Sequence, residues 1–132
     1  MRLIDELRRQ MAEITARRAR VSGWRLDERA LEQLRREAAD DNFDIPNITT
    51  PPTFLGVPIE IVFFGPAQAD FIPEHCKFAP CQRLDRDSAR QWDIFDLDAC
   101  AAQDVFYATK DDASRTAARL DIERGIHPIA HP

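Results

Sequence analysis

The stretch VPIEIVFF, residues 57–64, decides the expected fold. Its apolar residues at odd positions share one face of an extended chain, whereas Glu60 lies on the opposite face. Pro58 has no N–H to donate to a neighbouring strand, so the strand begins there or lies at the edge of a sheet. We therefore predict a β-strand in which Ile61 and Phe63 point into a core and Glu60 faces solvent.

Two shorter strands are expected on the C-terminal side of this one. Residues 76–84 (CKFAPCQRL) and residues 90–97 (RQWDIFDL) each show a partial alternation of apolar and polar side chains. Together with residues 57–64 they predict a small, mainly antiparallel sheet, whose pairing the sequence leaves open.

Helical structure is expected beyond these strands. Residues 97–110 are rich in alanine, and residues 111–125 place Ala117 and Leu120 on one helical face. Asp111 or Asp112 is the expected N-cap of the second segment, and Gly125 is its expected C-terminal stop.

Proline dominates the segment before the first strand. Residues 43–58 (FDIPNITTPPTFLGVP) contain four prolines and no helical period, and proline is excluded from helix interiors and central strands. We expect residues 43–56 to form an extended arm. This arm carries more apolar surface than a spacer requires. Its large apolar residues are Phe43, Ile45, Ile48, Phe54 and Leu55.

The N-terminal residues have the apolar spacing of two helices. In residues 1–22 an apolar stripe recurs at steps of three or four. Residues 22–23 supply a stop, and Asp27 is a plausible N-cap for a second helix that ends near Asn42. The two helices are predicted to form a hairpin, which either packs within the same fold or joins subunits. The stripe of the first helix consists of Ile4, Leu7, Met11, Ile14 and Val21.

These elements predict an α+β fold in three parts. Residues 1–42 form the helical hairpin, residues 43–56 the proline-rich extended arm, and residues 57–132 a small body with a mainly antiparallel sheet and a C-terminal helix. At 132 residues the chain can bury a core without disulfides or metal. Its content of 44% hydrophobic and 31% charged residues is typical of a folded globular protein.

Charge and hydropathy argue against several classes of partner. The net charge is −5, and the excess of acidic residues lies after residue 42, which disfavours binding to a phosphate backbone. No apolar run approaches the roughly 20 residues of a membrane helix, and the first residues lack the apolar region of a secretory signal. We expect a cytoplasmic protein, or part of a particle assembled there, with no direct contact to nucleic acid or membrane.

Cysteines and histidines raise the question of a metal site. Cys76 and Cys81 have a C-x4-C spacing, and His127 and His131 have an H-x3-H spacing, both of which zinc accepts. However, 45 residues separate the two pairs, whereas a zinc finger uses about a dozen. Pro128 also interrupts the histidine pair. We predict no metal and no cofactor, with both cysteines as small core residues.

Candidate catalytic groups form no recognisable motif. His75 and Cys76 are adjacent, and adjacent strand residues point to opposite faces, which argues against a cysteine nucleophile with a histidine base. The aspartates between residues 85 and 98 lack the spacing of a calcium-binding loop. Trp24 and Trp92 are more simply amphipathic packing residues than platforms for nucleic-acid bases. We predict that the chain is not an enzyme and has no catalytic residues.

The stretch TFLGVPIEIV, residues 53–62, resembles a short pattern of small structural proteins of tailed bacteriophages and of the ends of some capsid proteins. The pattern is an apolar residue, glycine, an apolar residue and proline before a β-rich run. The resemblance implies a virion or assembly role and carries over no catalytic residues. A small acidic body with an arm and a helical hairpin suits a subunit that clamps its neighbours in a shell, collar or tail.

We therefore expect a non-enzymatic structural or assembly protein, most specifically a tailed-phage virion component of the head, the head–tail connection or the tail. Its partners would be other structural subunits in a homo- or hetero-oligomer, first in the host cytoplasm and then in the virion. The alternative is a small intracellular protein-binding regulatory module, for which stabilisation by zinc stays open. The expected partner contacts lie on the first helix and the arm: Ile4, Leu7, Met11, Ile14, Phe43, Ile45, Ile48, Phe54 and Leu55.

Overall fold

A computed structural model describes residues 2–41, 51–83 and 91–123. The fold is α+β, as the sequence predicts, with a helix near each end of the described chain. None of the helices in these residues has both the length and the apolar character that a membrane span requires. The elements are, in chain order, α1 (Leu3–Ala16), β1 (Ala19–Leu26), α2 (Glu28–Asp40), β2 (Thr53–Phe54), β3 (Val57–Ile61), β4 (Gln68–Pro73), β5 (Phe78–Gln82), β6 (Trp92–Asp96), β7 (Ala101–Ala102) and α3 (Lys110–Glu123).

The strands form two sheets. In the first, of order β2-β3-β1-β4, β1 runs parallel to β3 and antiparallel to β4, and Trp24 lies opposite Ile59. The second has the order β5-β6-β7 and is antiparallel. The strands expected in residues 76–84 and 90–97 are confirmed as β5 and β6, which pair with each other. The helices α1 and α2 pack against the first sheet, and α3 packs against the second.

The helix predicted over residues 1–22 is wrong at its C-terminal end. α1 ends at Ala16, and Arg18 adopts a left-handed backbone with a φ of 58°. The chain then returns as β1, between β3 and β4, so a strand rather than a hairpin turn connects α1 to α2. Val21 continues the spacing of the helical stripe, but it is buried in β1 with Trp24. Val21 lies seven residues after Ile14, so the apolar spacing of α1 continues into a strand.

The second helix begins where the sequence predicts. The backbone N–H of Ala30 donates to Oδ1 of Asp27 at 2.8 Å, so Asp27 caps α2. Leu34 and Ala38 of α2 are fully buried and contribute to the same apolar core as α1. The helix is amphipathic, as a helix that packs on one side of a sheet must be.

Four of the residues expected to contact partners have side chains that lie inside this chain. Ile4 and Leu7 are at most 1% exposed, Ile14 is 9% exposed, and Phe54 is 3% exposed. All four belong to the core between α1, α2 and the first sheet. Apolar side chains buried in this way already contribute about 1.5–3 kcal/mol each to folding, and they are not available to a neighbouring subunit.

The same core crosses the boundaries that the sequence suggested. Its members come from residues 4–38 and from residues 54–59, so the expected hairpin of residues 1–42 and the start of the expected body share one apolar cluster. The pairing of β1 with β3 has the same effect. Of the expected arm, residues 51–56 are described, and Thr53 and Phe54 among them pair with β3 as β2.

The strand that decided the prediction is shorter than expected. Val57 and Ile59 are buried as predicted, and Ile61 packs against the core from a partly buried position. The position predicted for Phe63 is wrong: β3 ends at Ile61, and Phe63 is fully exposed at 103%. The prediction that Glu60 faces solvent also needs correction, because its side chain is 19% exposed and paired with a lysine.

The prediction of a helix over residues 97–110 is wrong. This segment contains a turn, the short strand β7 and a bridge between Trp92 and Tyr107. Cys100 and Asp104 adopt left-handed backbones with φ of 53° and 62°, which interrupts a helix. Pairing of β7 with the neighbouring strand β6 therefore outweighs the helix preference of the alanines.

The last predicted helix is confirmed as α3. Ala117 is buried and Leu120 is partly buried, as their shared face predicts. The N-cap is Thr109, whose Oγ1 accepts the backbone N–H of Asp112 at 3.1 Å. The expected caps Asp111 and Asp112 instead lie in the first turn of the helix, where they favour its positive end. Gly125, the expected stop, lies outside the described residues.

Candidate functional site

A cleft of about 500 Å³ lies between the two sheets and α3. Residues of β1, β3 and β4 line it from the first sheet, and residues of β5, β6 and α3 line it from the other side. Much of its wall is apolar, and α3 contributes small side chains that leave the space open. The apolar part includes Pro58, Ile59, Ile72, Phe78, Ala117 and Ala118.

One end of the cleft carries an ionic network, called here the charged rim. The Nζ of Lys110 lies 2.6 Å from Oε1 of Glu60 and 3.0 Å from Oδ2 of Asp70. The Nε of Arg25 lies 3.0 Å from Oδ1 of Asp70 but lacks the alignment of a hydrogen bond, so this contact is an ion pair. Two cations thus alternate with two carboxylates, and the network is formally neutral.

Lys110 is the centre of the charged rim. Burial is the largest effect on its pKa and lowers it, but the hydrogen bonds to Glu60 and Asp70 outweigh burial and hold the pKa above its ordinary value. The ammonium also lies 5.7 Å from the centre of the Trp92 ring, within cation–π range. Lys110 therefore stays charged and fixed between β3, β4 and β6. A lysine that serves as a nucleophile needs the opposite, a lowered pKa.

The other end of the cleft contains a buried carboxyl group. Asp121 of α3 is 2% exposed and accepts the backbone N–H groups of Lys77, at 3.1 Å, and Phe78, at 3.3 Å. Burial raises the pKa of Asp121, against the opposing effect of these two donors. Asp121 thus anchors α3 to the start of β5. Its hydrogen bonds define a structural role.

Both cysteines of the C-x4-C pair are buried and free. Burial, together with the nearby charge of Asp121, raises the pKa of Cys76 to about 11, and burial also raises the pKa of Cys81. At neutral pH both thiols are therefore protonated, whereas nucleophilic attack and metal ligation require the thiolate.

Within residues 2–41, 51–83 and 91–123, no three histidine, cysteine or carboxylate side chains are grouped so that they could hold a metal ion. His127 and His131 lie outside these residues, so the absence of metal stays a prediction. Of the aspartates between residues 85 and 98, Asp93 is buried against Arg83. Asp96 accepts the backbone N–H groups of the next turn. These aspartates bind protein groups in separate places.

Among the described residues, the most exposed large apolar side chains lie in the connection from β3 to β4, residues 62–67, called here the aromatic turn. Phe63 is 103% exposed and Phe64 is 87% exposed. The backbone N–H of Val62 donates to the carbonyl of Leu26 at 2.9 Å, and the carbonyl of Ala67 accepts from Nε2 of Gln10 at 3.1 Å. Both ends of the turn are therefore fixed, and the two phenylalanines project from it.

The structure brings together two of the expected partner contacts. Met11 of α1 and Leu55, which follows β2, line one shallow surface pocket, and Leu55 is 38% exposed. Phe43, Ile45 and Ile48 lie outside the described residues. The contacts that remain available among the described ones are therefore few. The aromatic turn adds a larger apolar surface, of which the sequence predicted Phe63 to lie in the core.

Sequence signals for these features differ in strength. The run IVFF breaks the alternation of β3 just before Gly65 and Pro66, and this break was a usable sign that the strand ends early. In the charged rim, Lys110 is 50 residues from Glu60 and 40 residues from Asp70 in the sequence. No local pattern therefore reveals these ion pairs. A comparison of the chain with models of known protein families, with curated proteins and with solved structures finds no match.

Proposed function

We propose that this chain is a structural or assembly subunit that acts through protein–protein contacts. The observation that carries the proposal is the aromatic turn, in which Phe63 and Phe64 are almost completely exposed. Burial of one phenylalanine removes roughly 150–250 Å² of surface from water and is worth about 1.5–3 kcal/mol. Two such side chains, adjacent and held on a fixed turn, form a preorganised anchor for a partner.

The cleft supports a binding role rather than a catalytic one. A general base needs a lone pair that is free to take a proton from substrate, whereas Glu60 and Asp70 already face Lys110 and Arg25. The thiols of Cys76 and Cys81 are held in their protonated form by burial. The proposed subunit therefore uses its surface for recognition.

The most specific form of the proposal is a virion component of a tailed phage, made in the host cytoplasm and then incorporated into the particle. It is supported by the resemblance of residues 53–62 to small phage structural proteins. These residues include β2 and β3, and β2 is one of the two edge strands of the first sheet as described. Edge strands and exposed apolar turns are the surfaces through which shell and tail subunits can join their neighbours.

The test is incorporation into particles. The tagged protein is expressed in its source cells, particles are purified by density after induction, and the copy number is measured by quantitative mass spectrometry. We expect many copies per particle, and at least a tenfold loss for the double variant Phe63→Ser/Phe64→Ser. Ile122→Ser is the matched control, since Ile122 is 50% exposed on α3 and lies outside the aromatic turn.

Two results would contradict the proposal in different ways. If the wild-type protein is absent from particles but is recovered on another cellular protein, the virion form is wrong and the regulatory module is favoured. If the double variant enters particles as well as the wild type does, the aromatic turn is not the contact surface.

A further inference from the structure

We propose that the chain opens at the cleft by a hinge at residues 74–77, and that Lys110 is the latch that holds the cleft closed. The inference goes beyond the proposed function, since it concerns access to the cleft and not the contact with a partner. Ile59, Phe78 and Cys81 line the cleft and are at most 2% exposed. A molecule from solvent therefore reaches this lining only when the two sides of the cleft separate.

Within the described residues, the chain passes once from one side of the cleft to the other. The first half lies within residues 2–73 and contains α1, α2 and the first sheet, and the second half lies within residues 78–123 and contains the second sheet and α3. Residues 74–77 join the halves in a turn, in which the backbone N–H of Cys76 donates to the carbonyl of Pro73 at 3.0 Å. One short connection of this kind permits rotation through changes in a few backbone dihedral angles.

Each half has an apolar core of its own. The cluster around Trp24 consists of residues from the first half, and the clusters around Phe95 and Phe78 are formed by the second. Among the described residues, Ile72 is the one side chain of the first half that packs against a cluster of the second, and it lies beside the hinge. Opening at the cleft leaves these cores intact, so it should require less free energy than global unfolding.

The helix α3 moves with the second half. Asp121 accepts the backbone N–H groups of Lys77 and Phe78, directly after the hinge, and Ala117 lies in the cluster of Phe78. At 1.5 Å per residue, about 16 Å of helix separates Asp121 from Lys110. Lys110 is therefore carried at the end of α3 that lies farther from the hinge, where a small rotation gives the largest displacement.

Lys110 ties this end of α3 to the first half. Its Nζ lies 2.6 Å from Oε1 of Glu60 on β3 and 3.0 Å from Oδ2 of Asp70 on β4, so two ion pairs cross the cleft. A hydrogen bond supports them, from the backbone N–H of Ile61 to Oε1 of Gln82 at 2.9 Å. Without the lysine, the charge of Glu60 would lose this partner and would gain hydration as the cleft opens. Removal of Lys110 should therefore favour the open state.

The three cysteines of the chain report opening directly. Cys76 and Cys81 line the cleft and are 4% and 2% exposed, whereas Cys100 is exposed. N-ethylmaleimide reacts with a thiol only when solvent reaches it, and cleavage by trypsin after Lys77 and Arg83 places the three cysteines in different peptides. Mass spectrometry of these peptides gives the labelling rate of each thiol, with Cys100 as the internal reference.

The test is Lys110→Met, which removes the ammonium and keeps most of the side chain. We expect both buried thiols to be labelled at least tenfold faster than in the wild type, with the rate at Cys100 unchanged. Arg115→Met is the matched control, since it removes a cation of α3 that pairs within the helix, with Asp112. Trp24→Phe is the control for global stability, because it weakens the first core away from the latch. Both controls should keep the wild-type rates in the absence of denaturant.

Three results would overturn the inference. Unchanged labelling in Lys110→Met would mean that the lysine is not a latch. An equal acceleration in Trp24→Phe would mean that the thiols react through global unfolding. Acceleration at Cys76 alone would mean that α3 loosens near Asp121 while the cleft stays closed around Cys81.

A second measurement uses the wild type and needs no variant to fold. Opening at a hinge exposes less surface than global unfolding, so the labelling of both buried thiols should depend only weakly on low concentrations of urea. A dependence as steep as that of global unfolding, measured by circular dichroism, would contradict the hinge. Neither result affects incorporation into particles, so failure of the hinge and failure of the proposed function are distinguishable.

Discussion

The two sheets of this chain are stabilised in different ways. Within the part of the chain that the structure describes, the first sheet, with α1 and α2, encloses twelve buried apolar residues in one cluster. The second sheet, with α3, has smaller apolar clusters. Among the described residues it holds four of the five buried polar or charged side chains. These four are Arg83, Asp93, Asp96 and Asp121.

The difference teaches that one small chain can use two kinds of interaction. Apolar contacts are non-directional, so a core built from them tolerates a change of shape if its volume is kept. Hydrogen bonds and buried ion pairs depend on the identity of both partners, and loss of one leaves the other desolvated. The stability of the first region should therefore depend mainly on side-chain volume, and that of the second on side-chain polarity.

The largest effect is expected from removal of the central side chain of the first region. Trp24 is fully buried, its Nε1 donates to the carbonyl of Phe54 at 2.9 Å, and the two rings are 6.0 Å apart. Trp24→Ala should lower the free energy of unfolding by about 4 kcal/mol through the cavity that it leaves. Urea denaturation followed by circular dichroism measures this loss.

Trp24→Phe is the control, since it keeps most of the apolar volume. It should cost about half as much, mainly because the carbonyl of Phe54 loses its donor. Equal losses for the two variants would mean that the hydrogen bond, and not the volume, stabilises this region, and the contrast with the second sheet would disappear.

The next effect tests the second region with a nearly isosteric change. Asp93 is fully buried. It lies 2.6 Å from Nη1 of Arg83 and accepts the backbone N–H groups of Asp104, at 3.1 Å, and Val105, at 3.0 Å. Asp93→Asn should cost about 3 kcal/mol, because an amide group replaces an acceptor and the charge of Arg83 loses its buried partner. The same denaturation experiment measures the change.

Leu34→Met is the matched change in the first region, where Leu34 is fully buried. A volume-conserving apolar change usually costs less than about 1.5 kcal/mol. The comparison holds only if the aspartate variant is clearly the less stable of the two. A leucine variant as unstable as Asp93→Asn would show that the first core is just as intolerant.

The sequence predicted the elements whose patterns are local. α2 and α3 follow from apolar spacing and turn residues, and the pairing partners β5 and β6 follow from short alternating runs. β1 was missed because its Val21 continues the apolar stripe of α1. The spacing of seven residues from Ile14 to Val21 is compatible with one long helix and also with a helix followed by a strand. The helix predicted for the alanine-rich segment after β6 was wrong. Asp93 accepts the backbone N–H groups of Asp104 and Val105 and so holds that segment as a loop.

The candidate site was less accessible from the sequence. The cleft depends on contacts between distant segments, such as Lys110 with Glu60 and Asp70, and long-range pairing leaves no local pattern. The burial of Ile4, Leu7 and Ile14, three of the expected partner contacts on α1, was missed for a related reason. A helical apolar stripe looks the same whether it packs on its own sheet or on a neighbour, and only the presence of β1 decides between them.

The smallest effect concerns the charge of Asp96. Its Oδ1 accepts the backbone N–H groups of Asp98, at 3.0 Å, and Ala99, at 3.1 Å, and Oδ2 lies 3.5 Å from Nζ of Lys77. Burial raises its pKa, but these donors outweigh burial and hold the pKa below the ordinary value of 3.8. Because the folded pKa is the lower one, the charge stabilises the fold above pH 3.8. This contribution is lost as the pH falls through the folded pKa.

Asp96→Asn keeps an acceptor for the backbone and removes only the charge, so it should cost about 1 kcal/mol at pH 7. The difference from the wild type should shrink as the pH falls below 3.8, because the wild-type carboxyl then becomes neutral too. Urea denaturation of both proteins across this range gives the difference directly.

Asp98→Asn is the control, since that side chain is 62% exposed beside Arg20, and it should change stability by less than about 0.5 kcal/mol at pH 7. A difference for Asp96→Asn that stays constant with pH would mean that the shape of the side chain, rather than its charge, supports the turn after β6, and the second region would then resemble the first.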